Sequence, residues 1–301
     1  MPPNFAETEL LHPTGYIPPE ITPAIVAGLS IDGETDDGRD IIVGGSGDDV
    51  LFGGSDVDEL DGQSGSDYLD GGAGNDSDLS GGSGDDVVRG GAGDDVVHGD
   101  SGIDQVYGDS GDDQIFGDAG NGQDQVGQRL FGGSGRDNLF AFAPAINSIG
   151  AFNAQTDRIG DQLFGEGGGD FLHGNARQEL LVGGGGNDFI HGDEFVGNTY
   201  LTHAQAGIGT ESDVDGANDS IFGGSGEDQL FGGGGDDTIF GGSGTDYIEG
   251  QDGSDVQYGG AGIDLFILPT ALGADERFDS GTDTIDGHFG CLLYTSDAAD
   301  E

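Results

Sequence analysis

Aspartates recur along this chain at a fixed distance behind glycines. Between residues 223 and 250 one nine-residue phrase, G-G-x-G-x-D-x-(large apolar)-x, is said three times. Gly223, Gly232 and Gly241 open the phrases. Asp228, Asp237 and Asp246 stand sixth in them, and Leu230, Ile239 and Ile248 stand eighth. The glycines admit left-handed backbone that other residues resist, so six residues can close a tight turn with carbonyl oxygens turned inward. The carboxylate adds one more hard oxygen. Hard oxygens in number, without His or Cys, suit Ca2+, which takes about 6–8 such ligands.

The elements that must hold these groups follow from the rest of the phrase. Its last three residues alternate around one apolar side chain, the pattern of a very short strand. A turn and a strand take nine residues, so two of each take eighteen and return the chain to the same side. Asp228 then lies over Asp246, and Asp237 over Asp255. Carboxylates stacked in this way repel unless a cation sits between them. The eighth positions form two core rows: Ile221, Ile239 and Gln257 in one, Leu230, Ile248 and Phe266 in the other. Gln257 is out of pattern. The expectation is that the last coil is open to solvent there, or that Val256 turns inward and the strand slips by one residue.

The phrase resembles the RTX, or haemolysin-type, calcium-binding nonapeptide, and the resemblance covers most of residues 36–267. It implies an all-β fold, a parallel β-roll (a solenoid of eighteen residues per coil) with calcium-binding turns. It implies multiple Ca2+ ions held by backbone carbonyls and the sixth-position Asp, with the eighth residue filling the core. It also implies secretion from a Gram-negative bacterium through a type I apparatus, and an extracellular or cell-surface location.

The register can be followed through the chain. Residues 1–35 hold six of the eight prolines and read as a leader or cap over the apolar end of the first coil. They have no basic start followed by an apolar run, so no ordinary signal peptide. A first block, 36–140, carries sixth-position candidates Asp40, Asp49, Asp58, Asp67, Asp76, Asp86, Asp95, Asp104, Asp113, Asp124 and Asp137. The turn of Asp58 has Asp56 in place of its fourth glycine and is expected to be less regular. One extra residue falls near Asp78 and Leu79, and Asp124 is placed by allowing two more. Residues 141–159 read as a loop insertion. A second block, 160–192, adds Asp170 and Asp188; its phrase at Gly174 is degenerate, with Asn175, Arg177 and Glu179, and is not given a full site. A second insertion spans 193–215. The third block, 216–267, adds Asp219, Asp228, Asp237, Asp246, Asp255 and Asp264, and 268–290 reads as the start of a C-terminal region. Residues 291–301, CLLYTSDAADE, match the translation of a transposon end used in sequencing libraries. They are read as adapter read-through and set aside, and the natural chain is expected to continue past Gly290. The phrases from Gly44 to Gly259 number about eighteen, which predicts about nine coils.

Composition narrows the function. The chain has 301 residues, 66 of them Gly, no Lys, and a formal charge of −52 with only 33% hydrophobic residues. That balance keeps an ordinary chain unfolded, so calcium is expected to fold this one. The charge repels nucleic acid and anionic membranes, and no stretch is long and apolar enough to span a bilayer. The single Cys291 cannot form an internal disulfide. Neither H-E-x-x-H nor G-x-S-x-G occurs, so no enzyme is expected from these residues. His98, His173 and His191 fall on ninth positions, which face outward, and read as surface rather than as a zinc site. Phe222, Phe240 and Tyr258 also fall there and read as a stacked ladder that stiffens the sheet.

The sequence is therefore read as a secreted calcium-binding repeat protein that folds on Ca2+ outside the cell, with calcium ions and the type I apparatus as partners and self-association possible. Two other readings stay open. One is the calcium-dependent secretion module of a larger extracellular hydrolase, whether a protease, a lipase or a polysaccharide-modifying enzyme. The other is a surface-layer or adhesin segment.

Overall fold

A computed structural model describes residues 39–118, 127–142, 159–174, 178–192, 218–268, 284–286 and 292–295. All regular structure among them is strand. The first block gives β1 (Ile41–Ser46), β2 (Val50–Ser55), β3 (Glu59–Ser64), β4 (Tyr68–Ala73), β5 (Asp78–Ser83), β6 (Val87–Ala92), β7 (Val96–Ser101), β8 (Gln105–Ser110), β9 (Gln114–Asp118), β10 (Arg129–Ser134) and β11 (Asn138–Phe142). The second gives β12 (Ile159–Gly167), β13 (Phe171–His173), β14 (Gln178–Gly185) and β15 (Phe189–His191). The third gives β16 (Ser220–Gly226), β17 (Gln229–Gly234), β18 (Thr238–Gly244), β19 (Tyr247–Asp252), β20 (Val256–Gly262) and β21 (Leu265–Leu268), followed by β22 (Thr284–Asp286) and β23 (Leu292–Thr295).

Odd strands build one parallel sheet of 12 and even strands another of 11, each strand pairing with the strand two further on. This is a parallel β-roll. Eighteen residues per coil set the register where nothing is inserted, as in Ile221↔Ile239 and Leu230↔Ile248. The sheets exceed the expected nine coils because interrupted phrases still contribute strands and β22 and β23 extend the stack. Neither insertion breaks it. Leu130 pairs with Leu163 across the first, and Leu181 with Ile221 across the second. The extra residue of the first block is absorbed at Ser77, since Leu60 pairs with Leu79 and Leu69 with Val88.

The core is the expected double row. Leu60, Leu79, Val97, Ile115, Leu139, Leu172, Ile190, Leu230, Ile248 and Phe266 face Leu69, Val88, Val106, Leu130, Leu163, Leu181, Ile221 and Ile239, and all are essentially excluded from water. β-Branched residues suit these half-buried pleats. Most coils bury only two large side chains, so the core is thin.

Three expectations need correction or refinement. Gln257 is neither solvent-open nor displaced by Val256: it pairs in register with Ile239, is 1% exposed, and neither Oε1 nor Nε2 has a hydrogen-bond partner. The ladder fixes register more strongly than one polar side chain can shift it, because a slip would turn every side chain of the strand over. The turn of Asp58 is regular, because Asp56 adopts φ 81°, the left-handed conformation that glycine holds elsewhere and that Asp tolerates. Residues 292–295, set aside as adapter, form β23 at the edge of the 12-stranded sheet against β21; an open sheet edge templates any extended apolar segment. The leader and both insertions lie largely outside the described residues.

The outward aromatics stack. On the even sheet Phe222 lies 4.9 Å from Phe240, and Phe240 4.7 Å from Tyr258, with planes within 5°. Tyr107, Phe131 and Phe164 continue the same face. On the odd sheet His98 stacks on Phe116, Phe116 on Phe140, and Phe140 on His173. His173 and His191 pair in register and serve this ladder.

Candidate metal centre

Each turn is built around its sixth residue. The backbone N–H of one sixth residue donates to Oδ1 of the sixth-position Asp one coil on: Asp58 to Asp76 at 2.8 Å, Asp86 to Asp104 at 2.8 Å, Asp237 to Asp255 at 2.9 Å. Two such ladders run along the roll, one per line of turns. Both continue across the insertions: one through Asp137 to Asp170 and Asp188 to Asp228, at 2.9 Å each, the other through Gln128 to Asp161 at 2.9 Å and Glu179 to Asp219 at 2.8 Å. One carboxylate oxygen is thereby committed to the backbone.

The other oxygen is not. Oδ2 of Asp49, Asp58, Asp67, Asp76, Asp86, Asp95, Asp113, Asp137, Asp170, Asp188, Asp228, Asp246 and Asp264 is buried and has no hydrogen-bond partner. It points over the first glycine of its own turn. A Cβ placed on Gly241 would meet Asp246 Oδ2 and the Gly259 carbonyl oxygen, each at 2.5 Å. The same pair, own Oδ2 and the carbonyl of the opening glycine one coil on, flanks Gly62, Gly132 and Gly223. Glycine is required there because a side chain would fill the cradle. Two oxygens facing one small buried space, with no donor for the carboxylate, fit a hard divalent cation. Among the described residues no three His, Cys, Asp or Glu side chains converge. The rest of any coordination shell would come from backbone carbonyls, side-chain amides or water, all of which Ca2+ accepts.

Electrostatics point the same way. Burial lifts Asp170 to about 8, Asp86, Asp95 and Asp113 to about 7, and Asp76, Asp137, Asp188, Asp228 and Asp246 to about 6. For most of them the carboxylates stacked on either side raise them further, while the N–H from the neighbouring coil works against the rise. The roll thus holds rows of carboxylates whose charge is uncompensated by the protein itself.

The sequence-predicted residues fall into place with few exceptions. Asp67, Asp95, Asp104, Asp113, Asp188 and Asp219 are buried at sixth positions, and Asp40 and Asp49 are half-buried at the first coil. Asp124 lies outside the described residues. The sixth position of its turn is filled by Gln128, whose Oε1 accepts from the Asp104 N–H at 2.7 Å and whose Nε2 donates to the Gly102 carbonyl at 3.0 Å. Two acids were not singled out. Asp161 accepts the Gln128 N–H at 2.9 Å, and Glu179 donates its own N–H to Asp219 at 2.8 Å. Asp161 was legible: it stands two residues before Leu163, the spacing of sixth-position Asp and core residue wherever nothing is inserted between them. A second ladder had no sequence signal. Fifth-position side chains accept from the coil that follows, as Asp48 does from the Ser66 N–H and Asp94 from the Asp112 N–H, at 2.9 and 3.0 Å.

Comparison with known proteins agrees with this geometry. The family described as RTX calcium-binding nonapeptide repeat (4 copies) matches residues 34–69, 44–78, 77–106, 93–123, 160–176, 173–194, 213–248 and 231–266, more than half of the chain. No curated protein matched the sequence. With its glycine-opened turns, buried sixth-position acids and paired parallel sheets, the chain belongs to the RTX calcium-binding nonapeptide repeat family.

Proposed function

We propose that this chain is a secreted calcium-binding module that stays unfolded where calcium is scarce and folds into the roll where it is plentiful. The observation that carries the proposal is the row of buried Oδ2 atoms without a hydrogen-bond donor, as at Asp58, Asp76, Asp95, Asp137, Asp188 and Asp246. Each would take a Ca2+ together with backbone carbonyls of its own and the adjacent coil, with Oδ1 holding the turn in register. The ions supply the positive charge that the stacked acids lack. Because they bind only the assembled turns, their binding energy adds to folding. Extracellular calcium modules bind at about 10⁻⁴–10⁻³ M, the range that separates the inside of a cell from its surroundings. Export of an unfolded chain through a type I apparatus is consistent with that switch.

Far-UV circular dichroism during a calcium titration tests this. The expected result is a cooperative gain of β-structure at millimolar Ca2+ and a poor response to Mg2+, which prefers a small octahedral shell. A fully folded spectrum in excess chelator at neutral pH would sink the proposal.

A further inference from the structure

Among the described residues Gln257 is the one polar side chain in the two core rows, fully buried and with both amide atoms unpaired. Burying a carboxamide in this way is costly, so the position calls for a partner that the described residues do not provide. The amide reaches back toward the turn 250–255. In the turns before it, the opening glycine is flanked by its own Asp Oδ2 and by the next coil's glycine carbonyl: Gly223 by Asp228 and Gly241, Gly232 by Asp237 and Gly250, Gly241 by Asp246 and Gly259. At Gly250 the Gln257 amide, rather than a carbonyl of the next coil, is the nearest group after the turn's own Asp255. A Cβ there would touch Asp255 Oδ2 and sit 2.7 Å from Gln257 Nε2. A half-turn of the amide exchanges its nitrogen and oxygen and brings Oε1 into the same space. The nine-residue phrases stop after residue 267, so this turn lies where the regular array runs out.

We propose that Gln257 Oε1 is a side-chain ligand to the Ca2+ of the turn 250–255, standing in for the carbonyl that the next coil supplies elsewhere. A glutamine carbonyl is an ordinary hard-oxygen ligand for this ion. The polar residue in the core row is thus a closing piece of the terminal site. This rests on the calcium reading of the family turns.

The test is hydrogen–deuterium exchange of the full chain at increasing Ca2+, read on β20 (Val256–Gly262), with β6 (Val87–Ala92) as internal reference. Gln257→Met keeps the length and removes the oxygen; Gln257→Glu keeps an oxygen. The Met variant is expected to need roughly tenfold more Ca2+ to protect β20, the size of effect that losing one oriented partner has on metal affinity, while β6 is unchanged. Protection of β20 at the same or lower Ca2+ in the Met variant overturns the proposal, since that is what an apolar core residue would give. If β20 of the Met variant is protected at no concentration, the Glu variant decides: a midpoint at or below that of the parent supports the proposal, and a higher one overturns it. If β6 of the parent is insensitive to Ca2+, the calcium reading itself fails, and this ligand with it.

Discussion

The backbone N–H of Asp113 donates to Oδ1 of Asp137 at 2.9 Å, and the two carboxylates, twenty-four residues apart in sequence, lie one coil apart in space. Asp137 Oδ2 meanwhile has no donor. The two oxygens of one side chain therefore have separable duties.

Asp137→Asn keeps the Oδ1 acceptor and removes the charge; Asp137→Ala removes both. In saturating Ca2+ the Ala variant should be about 1–3 kcal/mol less stable than the Asn variant, because the Asp113 N–H is left buried and unsatisfied. With calcium present both variants should need more Ca2+ than the parent. Parallel titrations followed by circular dichroism check this, and an Asn variant with the parent's calcium midpoint would show that Oδ2 is not a ligand.

Acid should favour the metal-free roll. An unfolded Asp titrates near about 3.9, whereas the folded carboxyls are raised to about 6–8 at Asp76, Asp86, Asp95, Asp113, Asp137, Asp170, Asp188, Asp228 and Asp246. The folded state binds more protons, so the stability they contribute is fully present below the unfolded value and is lost as pH rises through 6–8. In chelator, β-structure should be greater at pH 5 than at pH 8. The same protons compete with calcium, so the calcium midpoint should rise as pH falls over this window. Metal-free β-structure that increases with pH would contradict the assignment.

Two glycines with similar φ should differ sharply on substitution. Gly244 has φ +146° and a Cβ there would overlap the Gly226 carbonyl; Gly45 has φ +108° and nothing within 4 Å. Gly45→Ala is expected to cost about 1–3 kcal/mol of backbone strain. Gly244→Ala adds a clash with backbone that cannot move aside, and should abolish protection of β16 and β18 at any calcium concentration. Thermal melts in saturating Ca2+, paired with hydrogen exchange, separate the two.

Most of the roll was legible because its period is local. Gly223, Asp228 and Leu230 announce turn, ligand and core within eight residues. What was missed depends on which strand lies alongside. The role of Gln128 is visible only once Arg129 is seen beside Gln105, because insertion shifts the local count. Glu179 joined the ladder of acids although its phrase is degenerate, since β14 pairs in register with β12 and β16 on either side. Gln257 was recognised as an anomaly, but its surroundings come from a turn two to seven residues earlier whose geometry no spacing rule conveys.

The uninterrupted pairing of Leu130 with Leu163 and of Leu181 with Ile221 has a practical consequence. The stack treats whatever leaves it between two strands as a detour, and a flexible detour costs only about 0.6 kcal/mol for each doubling of its length. The segments after β11 and β15 are therefore natural grafting points: a foreign peptide or a whole domain inserted there would be presented at a fixed height along the roll and, on the calcium-folding proposal, only where calcium is plentiful.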